Sequence, residues 1–194
     1  TISFAKGKLV DPLVTGEETS KRGTKVTFWP DKELFSVHEY EYDRLAQRLR
    51  ELAFLNRGIS IHLKDERNID KQDVDFCYEG GLSSFVSYLN ESKEPIFDPP
   101  MYFHGARESH DGPIEFEVAM QWNGGFNENL HSFVNNIPTR QGGTHLTGFS
   151  TALTRILNQH IKSKNLLRND KLSIGGDDMR EGLTAVISVK VPNP

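Results

Sequence analysis

Cysteine is almost missing from this chain of 194 residues: Cys77 stands alone. That excludes an internal disulfide and fits a reducing cytosol. Between Phe76 and Tyr78, Cys77 reads as a small core-facing residue rather than a reactive thiol. An excess of either charge is also missing. Lys and Arg total 23 against 27 Asp and Glu, a net charge of -4. Nothing global draws such a chain to nucleic acid or a membrane, so any DNA contact must come from a local patch. No apolar run approaches the ~20 residues of a spanning helix, and no signal-peptide pattern opens the sequence. His38, His62, His104, His110, His131, His145 and His160 show neither His-x-x-x-His nor Cys–His ligand spacing. A Walker loop, a Gly-x-Ser-x-Gly elbow and a dinucleotide fingerprint are missing too. The residues themselves therefore point to no catalytic, cofactor or metal site.

What is present is ordinary globular composition, 36% hydrophobic and 26% charged, enough for one domain or two very small ones. Residues 2–10 read as a strand bent at Lys6-Gly7-Lys8, and residues 15–23 as a polar surface loop. Residues 25–29 alternate like a half-buried strand ended by Pro30, with Trp29 as a core anchor. From about Tyr40 to Asn56 the pattern is helical. Leu45, Leu49, Leu52 and Leu55 form its expected inner face, with Arg44, Arg48 and Glu51 pairing on the other and Gly58 as the stop. Ile59, Ile61 and Leu63 make the next strand, residues 65–73 a charged turn, and residues 74–78 the hairpin partner. Gly80 and Gly81 open a second helix carrying Leu82, Phe85, Val86 and Leu89. Pro95, Pro99 and Pro100 forbid helix after it.

Ile114, Phe116, Val118, Met120 and Trp122 alternate with Glu115, Glu117, Ala119 and Gln121, predicting a strand with one dry and one wet face. Glu115 and Glu117 have no partner base and read as solvated surface rather than an acid–base pair. Residues 123–125 turn into a further strand at residues 130–134. The chain is organised around the next stretch, residues 135–155. Gln141, Gly142, Gly143 and Thr144 hand a strand over to a helix carrying Leu146, Phe149, Leu153, Ile156 and Leu157. Thr144 reads as its cap. Two roles fit this turn: a structural joint, or an anion site at the free amides of the helix start. The helix, expected over residues 144–164, ends in a basic run of Arg155, Lys162, Lys164, Arg168 and Lys171 against Asp170. These complement the helix dipole or face phosphate. Asp177 and Asp178 beside Arg180 read as salt-bridged caps rather than metal ligands, and residues 183–191 as a central apolar strand.

The run Asn-Asn-Ile-Pro-Thr-Arg-Gln-Gly-Gly-Thr-His at residues 135–145, followed by Leu-Thr-Gly-Phe and Ala-Leu-Thr-Arg, resembles the B-subunit family of bacterial DNA gyrase. The ATPase subunit of topoisomerase IV is its close paralogue. Residues 23–30, 48–58, 78–81, 121–136 and 176–190 fit the same family in the same order. Residues 48–52 and 144–146 favour gyrase over the paralogue.

The resemblance implies that residues 1–194 are a transducer domain fragment of a type II topoisomerase ATPase subunit. Residues 1–14 are expected to be a strand shared with a preceding ATPase domain, and the last residues to lead into a linker. The implied fold is α+β, a two-layer arrangement with three principal helices on one face of a mixed or antiparallel sheet. It is like the second domain of ribosomal protein S five, with a left-handed βαβ crossover. ATP and magnesium would be bound mainly by the preceding domain. A Gln-Thr-Lys loop beyond residue 194 would reach the γ-phosphate, and the fragment itself would hold neither cofactor nor metal. Implied partners are DNA, the second, DNA-cleaving subunit, and a second copy joined through the ATPase domain; the implied location is cytoplasmic. Family members often place an arginine where this chain has Ser150, which leaves Arg140, Arg155, Lys162 and Lys164 as the DNA-cavity candidates. Two other readings are a small-molecule kinase of the same superfold with residues 141–144 as phosphate loop, and a free-standing nucleic-acid-binding module.

Overall fold

The computed structural model describes residues 1–18, 20, 22–67, 72–166 and 174–193. It divides into two units, Thr1–Tyr42 and Asp43–Pro194. In the first, the expected bent strand is a hairpin: β1 (Ser3–Ala5) pairs antiparallel with β2 (Lys8–Asp11). Lys6 and Gly7 both have positive φ, 49° and 75°, the geometry of a tight two-residue hairpin turn. A strand does not form at residues 25–29, and Trp29 is 84% exposed rather than a core anchor. The reason is size, because a two-stranded hairpin has no second layer to bury an indole. Phe28 meets Tyr40 edge to face at 6.2 Å, and Lys6 pairs with Glu33 at 2.8 Å.

The second unit opens one residue into α1 (Tyr42–Leu55), which is stopped by Gly58 at φ +80°. Its buried face is Ala46, Ala53, Phe54 and Leu55, rotated from the leucine stripe read in the sequence. Leu49 and Leu52 are half-buried and Leu45 is exposed. Aromatic stacking sets this rotation: Phe54 lies 3.7 Å from the Tyr78 ring and 4.7 Å from Phe85. Next, β3 (Ser60–Asp65) and β4 (Gln72–Cys77) form the expected antiparallel hairpin. Strand alternation sends Phe76 inward and leaves Cys77 exposed, correcting its expected place in the core. Then α2 (Leu82–Leu89) buries Leu82, Phe85 and Val86 as its spacing predicts.

A five-stranded mixed sheet comes next, ordered β5-β6-β9-β7-β8. Its strands are β5 (Met101–Ser109), β6 (Gly112–Trp122), β7 (Asn129–Val134), β8 (Ile137–Pro138) and β9 (Leu183–Lys190). Between β8 and β9 run α3 (Thr144–Ser163) and α4 (Gly176–Arg180). β9 is central as expected, antiparallel to β6 and parallel to β7. A parallel neighbour needs a crossover, and α3 with α4 supplies it.

The α+β class and the mixed sheet match the reading of the sequence, but the helices divide between both faces of the sheet. Ala119, Phe133 and Val186 pack with Phe54, Leu55 and α2. Residues one step along each strand point the other way. Met120, Leu183 and Ala185 meet Leu153, Phe149 and Leu157, while Val118, Ile187 and Val189 meet Leu146 and Phe149. The cause lies in β9, whose residues from Leu183 to Val189 are all buried, so both of its faces need a cover. For the same reason the wet face of β6 closes: Ala119 is buried, and Gln121 is only 1% exposed.

Candidate functional site

The joint between β8 and α3 is built around Thr139. Its hydroxyl donates to the Ser132 carbonyl at 3.0 Å, meets the Ser132 hydroxyl at 2.6 Å and lies 3.0 Å from His145 Nε2. One short side chain thus ties β7, the turn and the first turn of α3 together. The chain reverses through Asn135 and Asn136, at φ 48° and 65°, and then through Gly142 and Gly143, at φ +78° and +155°. Thr144 does not cap the helix as expected. It is the first helical residue, Gly143 precedes it, and no side chain caps the start. The Gly143 carbonyl accepts from Leu146 and Thr147 instead, each at 3.1 Å. Gly142→Ala is expected to destabilise the chain by about 1 kcal/mol, since its positive φ strains any Cβ, although the added carbon would meet only the Leu146 side chain at an ordinary 3.8 Å. Urea denaturation measures this, and an unchanged midpoint would show that the turn relaxes without strain.

The four basic candidates are all exposed, but they do not form one group. Arg140 lies at the turn. α3 has 20 residues and is about 30 Å long, which puts Lys162 and Lys164 at its far end. On the helix, Arg155 and Lys162 are seven residues apart and share the outward face, opposite Leu146, Phe149, Leu153 and Leu157. Lys164 succeeds the last turn as the C-terminal capping position. Ile156 falls at the margin of the apolar stripe and is 57% exposed. Arg168, Asp170 and Lys171 lie outside the described residues.

Asp177 pairs with Arg180 at 2.6 Å, and Asp178 accepts from the Gly175 amide at 2.8 Å, so both carboxylates serve α4 as the sequence predicts. Arg180 also reaches Glu128 at 2.8 Å, and Trp122 donates to the Met179 carbonyl at 2.9 Å, which fastens α4 to the sheet. Glu117 accepts from the Tyr102 hydroxyl at 2.9 Å. Burial first, and this carboxylate second, push the Tyr102 phenol upward. Burial lowers the pKa of His131, and the Arg67 guanidinium holds Asp65 at about 2. Among the described residues, no three His, Cys, Asp or Glu side chains are placed to hold a metal ion.

Two functional-looking features escaped the sequence reading. Arg48 pairs with Glu51 at 2.9 Å as the sequence predicts, but it also donates to the Asn136 carbonyl at 2.6 Å, which joins α1 to the β7–β8 turn. Asn135 clasps the end of β9 through two bonds to the Val191 backbone, each 2.9 Å. The Asn-Asn pair was the available signal, since two adjacent residues with positive φ favour it.

A family model described as DNA gyrase B matches residues 81–194. The B subunit of DNA gyrase from Chlamydia pneumoniae is 55% identical over 193 residues, covering 100% of this chain and 24% of that protein. Its counterpart from Clostridium acetobutylicum is 50% identical over 192 residues, covering 99% of this chain and 29% of that protein. The 43K ATPase domain of Thermus thermophilus gyrase B, solved in complex with an aminocoumarin, is similar with a TM-score of 0.73. Its identity is 36%, over 85% of this chain and 43% of that one. The topoisomerase IV ATP binding domain of Francisella tularensis, solved with a small-molecule inhibitor, gives a TM-score of 0.65 and 27% identity. That match covers 86% of this chain and 43% of the solved one. The chain thus spans about a quarter of the length of the curated relatives it matches.

Proposed function

The chain belongs to the DNA gyrase B family, and on that premise we propose that it is the transducer region of a bacterial ATP-dependent type II DNA topoisomerase. The observation that carries this reading is where the match falls. Residues 81–194 enclose the whole five-stranded sheet with α2, α3 and α4, a mechanical body without an assembled reaction centre among its described residues. In this reading the parent enzyme passes one duplex through a transient break in another. The transducer relays nucleotide state to the DNA gate and walls the cavity that holds captured DNA. ATP and magnesium are bound by the preceding domain, and a lysine of a later loop reaches the γ-phosphate. Partners are DNA, the DNA-cleaving subunit and a second copy joined through the ATPase domain, all in the cytoplasm. The exposed Ile2, Phe4, Leu9 and Val10 of the β1–β2 hairpin support its joining the sheet of that preceding domain. The kinase alternative gains nothing, because the similar proteins are topoisomerase subunits.

On the DNA side, the outward face of α3 carries the proposal. Arg155 and Lys162 stand about 10 Å apart along one exposed helix face, with Lys164 just beyond, and such contacts bind phosphates without reading sequence. In the full-length protein, joint replacement of Lys162 and Lys164 by alanine is expected to lower DNA-stimulated ATPase activity about three- to tenfold. Basal activity should fall less, and rising salt should mimic the effect. An equal fall in both activities would remove the DNA assignment.

A further inference from the structure

Arg140 is the basic candidate that the α3 face does not absorb, and it lines a cleft of its own. The cleft has a volume of about 510 Å³ and lies between α1 and the outer edge of β7. One wall is a single face of α1, with Arg44, Gln47, Arg48 and Glu51 at helical spacing. The other runs along β7 and the turn after β8, to Arg140. Three arginines thus face one acid, and that acid is already held by Arg48 at 2.9 Å. The cleft is electropositive although the whole chain is not.

The floor adds an independent observation. β8 covers the outer edge of β7 only at Phe133 and Val134, and the Thr139 amide then reaches the Ser132 carbonyl at 2.9 Å. Backbone groups along a strand alternate between its two edges, so those of Leu130 leave on the same side as those of Ser132. At Leu130 no strand of the described residues lies on that side. The cleft therefore combines an unfilled stretch of sheet edge with a cationic rim. An unfilled edge takes another chain in extended conformation, and its affinity comes from main-chain hydrogen bonds.

We propose that this cleft docks an acidic protein segment in extended conformation, which adds a short strand to β7 while its carboxylates meet the exposed Arg140. A nucleic-acid backbone would answer the charge but could not continue the ladder, because phosphates do not present alternating amide donors and acceptors. The peptide fits both features.

Fluorescence anisotropy with the full-length protein and a labelled octapeptide of alternating Glu and Thr tests this. Binding is expected, and it should weaken at least about tenfold in Arg140→Glu and in Gln47→Glu, which places a carboxylate on the opposite wall. Both positions are exposed, so the fold should persist, and unchanged circular dichroism would verify it. The same peptide methylated at alternate backbone nitrogens should bind at least about fivefold more weakly, because the ladder bonds are lost. Failure of the acidic peptide to bind, or equal binding of a Lys–Thr counterpart, would overturn the proposal. So would wild-type affinity in both variants. Undiminished binding of the methylated peptide, together with its displacement by a short DNA duplex, would assign the cleft to nucleic acid instead.

Discussion

Gly182→Ala is expected to lower the unfolding free energy by at least ~3 kcal/mol, the largest effect expected of any glycine-to-alanine change here. Two independent penalties combine there. Gly182 has φ +72°, a conformation that strains an L-residue by about 1 kcal/mol. A Cβ at this position would also lie 2.4 Å from the Asn123 carbonyl oxygen and 2.6 Å from that of Gly125. Both are backbone atoms, and neither swings aside as a side chain would. The Gly182 carbonyl also accepts the Asn123 amide at 2.9 Å, so moving the two segments apart breaks a bond at the entrance to β9. Gly58→Ala is the control. It has nearly the same φ, +80°, and nothing within 4 Å of the added carbon, so only about 1 kcal/mol should be lost. Urea titration of both variants decides the matter. Equal losses would mean that the close approach contributes nothing.

The second large effect is expected at Asn90, the centre of a buried polar cluster. Its amide donates to Gln121 Oε1 at 2.8 Å, and its oxygen accepts from the Thr184 hydroxyl at 2.7 Å and the Asn123 amide at 3.3 Å. Gln121 in turn donates to the Phe97 carbonyl at 2.6 Å. The cluster fastens the C-terminus of α2 to the adjacent ends of β6 and β9. Asn90→Ala should destabilise by about 3 kcal/mol, because each buried group it abandons forfeits ~1–3 kcal/mol of lost solvation. Thr184→Val removes one of the abandoned groups. The double variant should therefore lose at least ~0.5 kcal/mol less than the sum of the single losses. Strict additivity in thermal or chemical unfolding would show that the cluster does not act as a unit.

The sequence revealed elements wherever one strong local pattern operated. The helix starting after Gly81, the strand through Val118 and the apolar run at residues 183–191 all sit where their periodicity puts them. Most of what it hid depends on partners distant in the chain. Gln121 looks solvent-facing by alternation, yet it is buried because Asn90 and Phe97 supply its bonds. The rotation of α1 follows from Phe54 finding Tyr78 and Phe85, which no count of leucines reveals. β5 went unread because nearly all of it is exposed at the sheet edge, although Asp111-Gly112 beside it is a hairpin signal. The basic candidates were legible as residue types but not as a group. Only the length of α3 shows that Arg140 and Lys162 serve different places.

The place of β9 has a consequence for the order in which the molecule can be made. β6 and β7 are neighbours in sequence, but they share no hydrogen bonds, because β9 lies between them. A nascent chain leaves the ribosome with β5, β6, β7 and the whole of α3 complete, and the strand that joins the two halves of the sheet arrives last. Until then Val118, Met120 and Phe133 have no central neighbour, and the inner edges of β6 and β7 are open to any other chain. The sheet therefore closes as one late event of high sequence separation rather than strand by strand.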